Sequence, residues 1–181
     1  DGVDLEAFEA ALKADPRIRV FYTIPNFQNP SGYTMSYEKR KAVYDLACRY
    51  DIIILEDNPY GDLRVTGENV PAIKTLDTEG RVIYAGTFSK VIAPGIRVGY
   101  ALGPQQVLAK MTVGKQTEDV HNVMLSQLLV YHWLKEYDLK EHIAKIQEIY
   151  RGKLNLMCDL VDSELGDYVE YVRPEGGLFV W

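Results

Sequence analysis

The chain of 181 residues is long enough for one domain with a sizeable core, and its composition, 47% hydrophobic and 25% charged, is that of an ordinary soluble globular protein. A net charge of −6 without a long basic run argues against nucleic-acid binding through this segment, and the longest apolar runs are too short to cross a membrane. The two cysteines, Cys48 and Cys158, suit a reducing compartment, so we expect a cytoplasmic protein.

The first half of the chain alternates helix and strand patterns. Helices are expected over 4–14 and, capped by Ser36, over 37–50. Strands are expected over four runs: 17–25, 51–57, 81–88 and 97–103. The apolar sequence DIIIL in the second run suggests a strand buried on both faces. This alternation predicts an α/β fold with a mainly parallel sheet sandwiched by helices.

The second half of the chain has mostly helical patterns. Three helices are expected, over 104–114, 122–137 and 139–164. Five apolar side chains of the middle helix are candidates for the core: Val123, Leu128, Val130, Trp133 and Leu134. The run 168–181 predicts two strands joined by a glycine turn. We therefore expect two units, the central part of a large domain over 1–150 and the start of a small α+β domain over 151–181.

Polar residues cluster where the predicted strands end. They occur in the stretches NPSG (29–32), DNPY (57–60) and TFSK (87–90), and at the position of Arg97. The carboxyl ends of parallel strands meet at one edge of a sheet, where ligands bind. The candidate site residues that could meet there are Asn29, Asp57, Tyr60, Thr87, Ser89, Lys90 and Arg97.

Each of these residues can be interpreted as part of a reactive site or as an ordinary structural or surface residue. A partly buried Asp57 would need a cationic or donor partner, although aspartates also cap loops. Lys90 in a cleft could act as a nucleophilic amine, although most lysines are merely exposed. Arg97 offers a planar fork that suits phosphate or a surface ion pair, and Thr87 and Ser89 could face the same site. Together these groups indicate a site for a phosphorylated carbonyl compound.

The order and spacing of the motifs resemble those of fold-type I pyridoxal-phosphate (PLP) aminotransferases of class I/II. Asn29 and Asp57 lie 28 positions apart, and Asp57 and Lys90 lie 33 apart. The closest resemblance is to the branch of 2-aminoadipate and aromatic aminotransferases, which also includes the aminotransferase-like domains of MocR-type regulators. The interval of seven from Lys90 to Arg97 fits this branch. Tyr60 stands where the similar α-oxoamine synthases typically have histidine, which favours amino-group transfer.

The resemblance implies a set of catalytic residues, Lys90, Asp57 and Tyr60. Lys90 would form a Schiff base with the cofactor aldehyde and later move the α-proton of the substrate. Asp57 would pair with the pyridine nitrogen and keep it protonated, which makes the ring a better electron sink. Asn29 and Tyr60 would donate to the phenolic oxygen of the ring. The family also implies a cis peptide bond between Asn29 and Pro30.

The same resemblance implies how the cofactor phosphate is held and what this segment lacks. Thr87, Ser89 and Arg97 would bind the phosphate. The family's upstream part supplies a further phosphate loop and a stacking aromatic ring, its small domain supplies an arginine for the substrate carboxylate, and its partner subunit adds residues. We find no candidates for these groups and expect a homodimer in the full-length protein, while this segment alone binds PLP weakly and turns over poorly.

Three functions stay open on the sequence. The first is a PLP-dependent aminotransferase acting on an amino acid and a 2-oxo acid. The second is a PLP-binding sensor domain of a MocR/GntR-type transcriptional regulator, which an upstream helix-turn-helix would favour. The third is a non-catalytic α/β domain. A metal site is not expected, because His121, His132 and His142 lack the spacing of metal ligands.

Overall fold

The chain has the predicted α/β architecture, built around one sheet. The computed structural model describes residues 2–181. Four strands lie side by side in the order β1 (Val20–Thr23), β2 (Ile53–Asp57), β3 (Val82–Thr87) and β4 (Gly99–Leu102). Strands β1, β2 and β3 are parallel, and β4 is antiparallel to β3. The prediction of a mainly parallel sheet is therefore confirmed.

The helices of residues 2–181 follow the predicted order. They are α1 (Leu5–Ala14), α2 (Tyr37–Arg49), α3 (Gln105–Glu118), α4 (Met124–Glu136) and α5 (Leu139–Leu165). Short 3₁₀ helices lie at Gly61–Leu63, Ile73–Leu76 and Pro94–Ile96. The side chain of Ser36 accepts a hydrogen bond from the Lys39 amide at 3.4 Å and caps α2 as predicted. None of the helices in this part of the chain has the length and apolar character needed to cross a bilayer.

The main core lies between one face of the sheet and helices α1 and α2. Its buried members are Leu12, Met35, Val43, Tyr44, Leu46, Ala47, Ile52, Ile54, Ile73 and Val82. On the opposite face Val20 is 55% exposed and Tyr22 is 54% exposed. Strand β2 is consequently buried on one face, at Ile54 and Glu56, whereas Ile53 and Leu55 are only half-buried. The expectation that it is buried on both faces is wrong, because α1 and α2 pack on the same side.

A buried guanidinium joins α2 to the loops at the carboxyl edge of the sheet. Arg40 has no exposed surface, and it donates to five acceptors: the carbonyls of Pro25, Met35, Val70 and Pro71 and the side chain of Asn26. Burial lowers the pKa of Arg40 to about 10, against the nearby charge of Glu56. The side chain therefore stays charged at neutral pH while it satisfies backbone groups that would otherwise be buried without partners.

Glu56 is a second fully buried charged side chain in the same region. Its two carboxylate oxygens accept the backbone amides of Ile73 and Lys74, each at 2.8 Å. Burial raises the pKa of Glu56, and these two amides and Arg40 oppose that rise. The carboxylate thereby fixes the start of the 3₁₀ helix Ile73–Leu76 against β2.

The second half of the chain differs from the sequence prediction in α4. Helix α5 runs without interruption through residue 150, as expected for a boundary placed within this long helix, and the division into 1–150 and 151–181 stays a prediction. In α4 only Val130 is buried, and the apolar side chains of Val123, Leu128 and Leu134 are exposed. Of the expected core residues, Val130 is therefore confirmed and Trp133 is half-buried, whereas Val123, Leu128 and Leu134 are wrong, because nothing in residues 2–181 covers that side of the helix.

The two strands expected over 168–181 do not form. Gly176 forms an isolated antiparallel bridge with Arg64, which lies outside this segment. The side chains bind α5 instead: the Tyr171 hydroxyl donates to Asp162 at 2.8 Å, and Arg173 donates to Asp159 at 2.9 Å. A two-stranded ribbon without a sheet is only marginally stable, so these contacts determine the path of the segment.

We predict that Arg40→Met destabilises the protein by about 3–5 kcal/mol, because it leaves buried carbonyls without donors and removes one of the cations near the buried Glu56 carboxylate. The measurement is equilibrium unfolding in urea. The matched control is Arg17→Met, since the Arg17 side chain is 90% exposed and pairs with Asp15 at the surface, and it should cost at most about 1 kcal/mol. Equal losses in the two variants would contradict the assigned role of Arg40.

Candidate active site

Asp57 is the last residue of β2 and faces away from the main core. The Tyr22 hydroxyl on β1 donates to Asp57 Oδ2 at 2.8 Å. Partial removal from water, together with the hydrogen bond and charge of Asp57, raises the pKa of Tyr22 to about 12. The phenol therefore remains a protonated donor at neutral pH, and a half-buried carboxylate is held at the edge of the sheet.

Tyr60 and Lys90 approach each other beside this edge. Tyr60 is buried, at 6% exposure, and its ring packs edge-on against Phe179 with 5.3 Å between the ring centroids. Lys90 Nζ lies 6.0 Å from the centroid of the Tyr60 ring. A cavity of about 320 Å³ lies beside Lys90 and is lined on its far side by α5 residues that include Tyr150 and Lys153. The amine thus has an aromatic neighbour and space for a small molecule.

Two hydroxyls and a guanidinium meet at the carboxyl end of β3. Thr87 Oγ1 and Ser89 Oγ are 3.0 Å apart, and Arg97 Nη1 donates to Ser89 Oγ at 3.1 Å. Arg97 has a φ of 56°, in the left-handed region that residues other than glycine seldom adopt. This backbone turn follows the 3₁₀ helix Pro94–Ile96 and brings the guanidinium back to the strand end. The three side chains form a donor cluster suited to an anion such as phosphate.

Asn29 makes no side-chain hydrogen bond with this group in residues 2–181. The peptide bond between Asn29 and Pro30 is cis, as the resemblance implied. Asn29 is exposed, and within residues 2–181 its side chain makes no hydrogen bond, while its carbonyl accepts from the Gln28 side chain at 2.5 Å. The structure thus gathers Asp57, Tyr60 and Lys90 near the Thr87–Ser89–Arg97 cluster, and the role of Asn29 stays a prediction.

A chain of hydrogen-bonded polar side chains, here called the relay, supports the residue next to Asp57 and was not predicted from the sequence. Arg40 donates to Asn26 Oδ1 at 2.6 Å, Asn26 Nδ2 donates to Asn58 Oδ1 at 2.8 Å, and Asn58 Nδ2 donates to the Tyr84 hydroxyl at 2.7 Å. The relay immobilises the residue that follows Asp57. Both asparagines adjoin prolines and read as turn formers, and no local pattern pairs residues 32 positions apart.

A second cavity is lined by the two asparagines of this relay. It has a volume of about 460 Å³ and is lined by Asn58, Asp62, Lys140 and Gln147 among others. It is larger than the cavity beside Lys90 but contains neither the amine nor the donor cluster. We therefore place the candidate active site by the convergence of its reactive groups rather than by cavity size.

The segment 174–179, here called the strap, packs over the loop that follows β2. The Glu175 carbonyl accepts the amides of Val65 and Thr66, and the Gly177 amide donates to the Leu63 carbonyl at 3.0 Å. Glu175 also forms an ion pair with the buried side chain of Arg64. Through Phe179 the strap reaches the Tyr60 ring, which the sequence analysis had not anticipated.

The comparisons with known proteins agree with this geometry. Residues 1–181 match the family described as aminotransferase class I and II, and the chain belongs to this family. It is 41% identical over 185 residues to aromatic-amino-acid aminotransferase 1 of Thermococcus litoralis, covering 100% of this chain and 44% of that protein. The chain therefore spans less than half the length of such relatives.

Solved structures of relatives have the same fold. The kynurenine aminotransferase of Pyrococcus horikoshii, in complex with PMP, is 38% identical with a TM-score of 0.95, over 99% of this chain and 46% of that one. LysN, the α-aminoadipate aminotransferase of Thermus thermophilus complexed with N-(5'-phosphopyridoxyl)-L-leucine, is 37% identical with a TM-score of 0.92, over 99% of this chain and 46% of that one. The relatives also include the HTH-type transcriptional regulator YisV of Bacillus subtilis, 31% identical over 99% of this chain and 38% of that protein.

We predict that Gly176→Ala displaces the strap. A Cβ at this position would lie 2.4 Å from the Leu63 carbonyl oxygen and 2.8 Å from Arg64 Cα, and backbone atoms cannot yield cheaply. The expected loss of unfolding free energy is about 1–3 kcal/mol, measured in urea. Gly152→Ala in α5 is the control, because a Cβ there meets nothing within 4 Å and should stabilise the helix by up to about 1 kcal/mol. Similar stabilities for the two variants would contradict the packing of the strap.

Proposed function

We propose that the protein is a PLP-dependent aminotransferase that moves an amino group between an amino acid and a 2-oxo acid. The observation that carries the proposal is that Lys90 lines the same cavity as Ser89 of the Thr87–Ser89–Arg97 cluster, with the Asp57 carboxylate at the end of the neighbouring parallel strand. The family membership and the aminotransferase names of the relatives support it.

The residues present fit the chemistry of PLP. Thr87, Ser89 and Arg97 would hold the phosphate, since Ser89 Oγ already lies 3.0 Å from the Thr87 hydroxyl and 3.1 Å from the Arg97 guanidinium. Asp57 would hold the protonated ring nitrogen, and Lys90 would hold the aldehyde carbon through its amine. When bound, the cofactor supplies an electron sink for the substrate carbon that loses its proton.

The chain's own side chains would then orient the reactants and move the proton. The Lys90 amine would be the base that takes the α-proton of the substrate at Nζ and passes it on within the site instead of returning it to the same carbon. The hydroxyl of Tyr60 and the side-chain amide of Asn29 are the donors proposed for the phenolic oxygen of the ring. The edge-on packing of Phe179 against Tyr60 would hold the Tyr60 ring in place beside Lys90.

A second candidate function is that of a PLP-binding sensor domain in a transcriptional regulator. The observation that favours it is the 31% sequence identity with the HTH-type transcriptional regulator YisV. The discriminating measurement is transamination by the complete protein, assayed as transfer of an amino group from an aromatic or aminoadipate donor to 2-oxoglutarate. Turnover supports the enzyme, whereas PLP binding without turnover supports the sensor.

We further propose that the complete protein is a cytoplasmic homodimer. The free cysteines Cys48 and Cys158 are consistent with a reducing compartment. The exposed apolar side chains of Leu125, Leu129 and Tyr131 on α4 offer a surface that a second subunit could cover. Light scattering of the purified complete protein measures the mass directly, and a monomer would contradict this part of the proposal.

We predict that incubation of the complete protein with PLP, followed by borohydride reduction and peptide mapping, places a pyridoxyl group on Lys90. Lys90→Ala should abolish this labelling. Lys153→Ala is the matched control, because Lys153 lines the same cavity and its loss should leave the Lys90 label intact. Labelling scattered over many lysines, or labelling of Lys153 in place of Lys90, would contradict the proposed function.

We predict that Arg97→Met weakens PLP binding by about 10- to 100-fold, because a hydrogen bond to a charged group contributes about 1.5–3 kcal/mol. Binding of pyridoxal, which lacks the phosphate, should change little. Both dissociation constants can be measured by fluorescence titration. An equal loss of affinity for the two ligands would show that Arg97 acts on the fold of the site and not on the phosphate.

A further inference from the structure

We propose that Tyr22 is a positioning residue for Asp57, and that its hydroxyl fixes the carboxylate in the orientation that holds the protonated ring nitrogen of PLP. This inference rests on the proposed function and adds a residue to its site. Neither the motifs of the sequence nor the roles implied by the family resemblance pointed to Tyr22.

The geometry that carries the proposal is set by two adjacent parallel strands. Tyr22 on β1 is aligned with Leu55 on β2, and Asp57 lies two residues further along the same face. The hydroxyl donates to Asp57 Oδ2 at 2.8 Å, and within residues 2–181 it is the one hydrogen-bond donor to the Asp57 side chain. Oδ1 is thereby left available as the second acceptor.

The chemistry of a phenol suits this task better than a cation would. An arginine or lysine beside Asp57 would neutralise the carboxylate and compete with a protonated ring nitrogen for it. A neutral hydroxyl fixes one oxygen and leaves the negative charge in place for the other. Because the pKa of Tyr22 is raised to about 12, the phenol does not ionise and repel Asp57 in the working pH range.

If the Tyr22 hydroxyl had a purely structural role, its removal would lower the urea midpoint. We expect the urea midpoint to stay nearly unchanged, because Tyr22 is 54% exposed and lies outside the main core. An effect on the ring nitrogen without an effect on stability is therefore the signature of positioning.

The test compares Tyr22→Phe with the wild type in the PLP-loaded protein. PLP labelled with ¹⁵N in the ring reports by NMR whether its nitrogen is protonated, and a titration gives the pH at which half of it has lost the proton. In Tyr22→Phe we expect this midpoint to fall by about one pH unit and the affinity for PLP to drop about tenfold, since both follow from one lost charge-assisted contact. The control is Tyr37→Phe, because the exposed Tyr37 hydroxyl makes no hydrogen bond within residues 2–181.

A double-mutant cycle tests whether Tyr22 acts through Asp57. In the Asp57→Ala background, Tyr22→Phe should cause no further loss of PLP affinity. An unchanged midpoint in Tyr22→Phe, or an equal further loss in the Asp57→Ala background, would overturn the inference while the Lys90 label of the wild type still supports the proposed function. Failure of the wild type to form that label would overturn the proposed function, and this inference with it.

Discussion

The parallel pairing of β1, β2 and β3 is the constraint on which the site depends. It places the carboxyl ends of three strands at one edge, so that Tyr22, Asp57 and Thr87 belong to one surface although they are far apart in sequence. Backbone hydrogen bonds of the ladder set the distance between Tyr22 and Asp57 more tightly than flexible loops could. Strand β4 then reverses direction, which returns the chain to β3 directly after Arg97 and brings that side chain to Ser89.

The loops at this edge are held by buried polar groups rather than by apolar packing. Arg40 binds the loop after β1, and the relay through Asn26 and Asn58 continues this support to the segment after β2. Glu56 fixes the next connection by accepting two backbone amides. Burial of each of these polar groups costs free energy unless its hydrogen-bond partners are present. The loops of the site are therefore held by a network of interdependent hydrogen bonds. A change in one member should therefore affect loops that are distant from it in the chain.

The sequence predicted those parts of the molecule that follow from local patterns. The strand and helix order, the Ser36 cap and the meeting of Lys90 with Asp57, Thr87, Ser89 and Arg97 at one edge depend on periodicity and on parallel topology. The pairing of Asn26 with Asn58 and of Tyr22 with Asp57 depends on register between strands, which no local pattern encodes. The prediction of two strands over 168–181 was wrong for a related reason. The alternation of this segment resembles that of a hairpin, but its conformation depends on contacts with α5 and Arg64. The apolar residues of α4 could not be assigned to a core, because periodicity does not say what covers a face.

The strap couples the wall of the site to a helix that contributes no reactive group. Residues 174–179 follow α5 in the chain and are tied back to it through Tyr171 and Arg173, while Phe179 rests on Tyr60. A tilt of the carboxyl-terminal half of α5 would therefore pull on the strap and alter how firmly the Tyr60 ring is seated. Binding of a ligand at the sheet edge and the angle of the carboxyl-terminal half of α5 would therefore be mechanically coupled, and the coupling would pass through Tyr60.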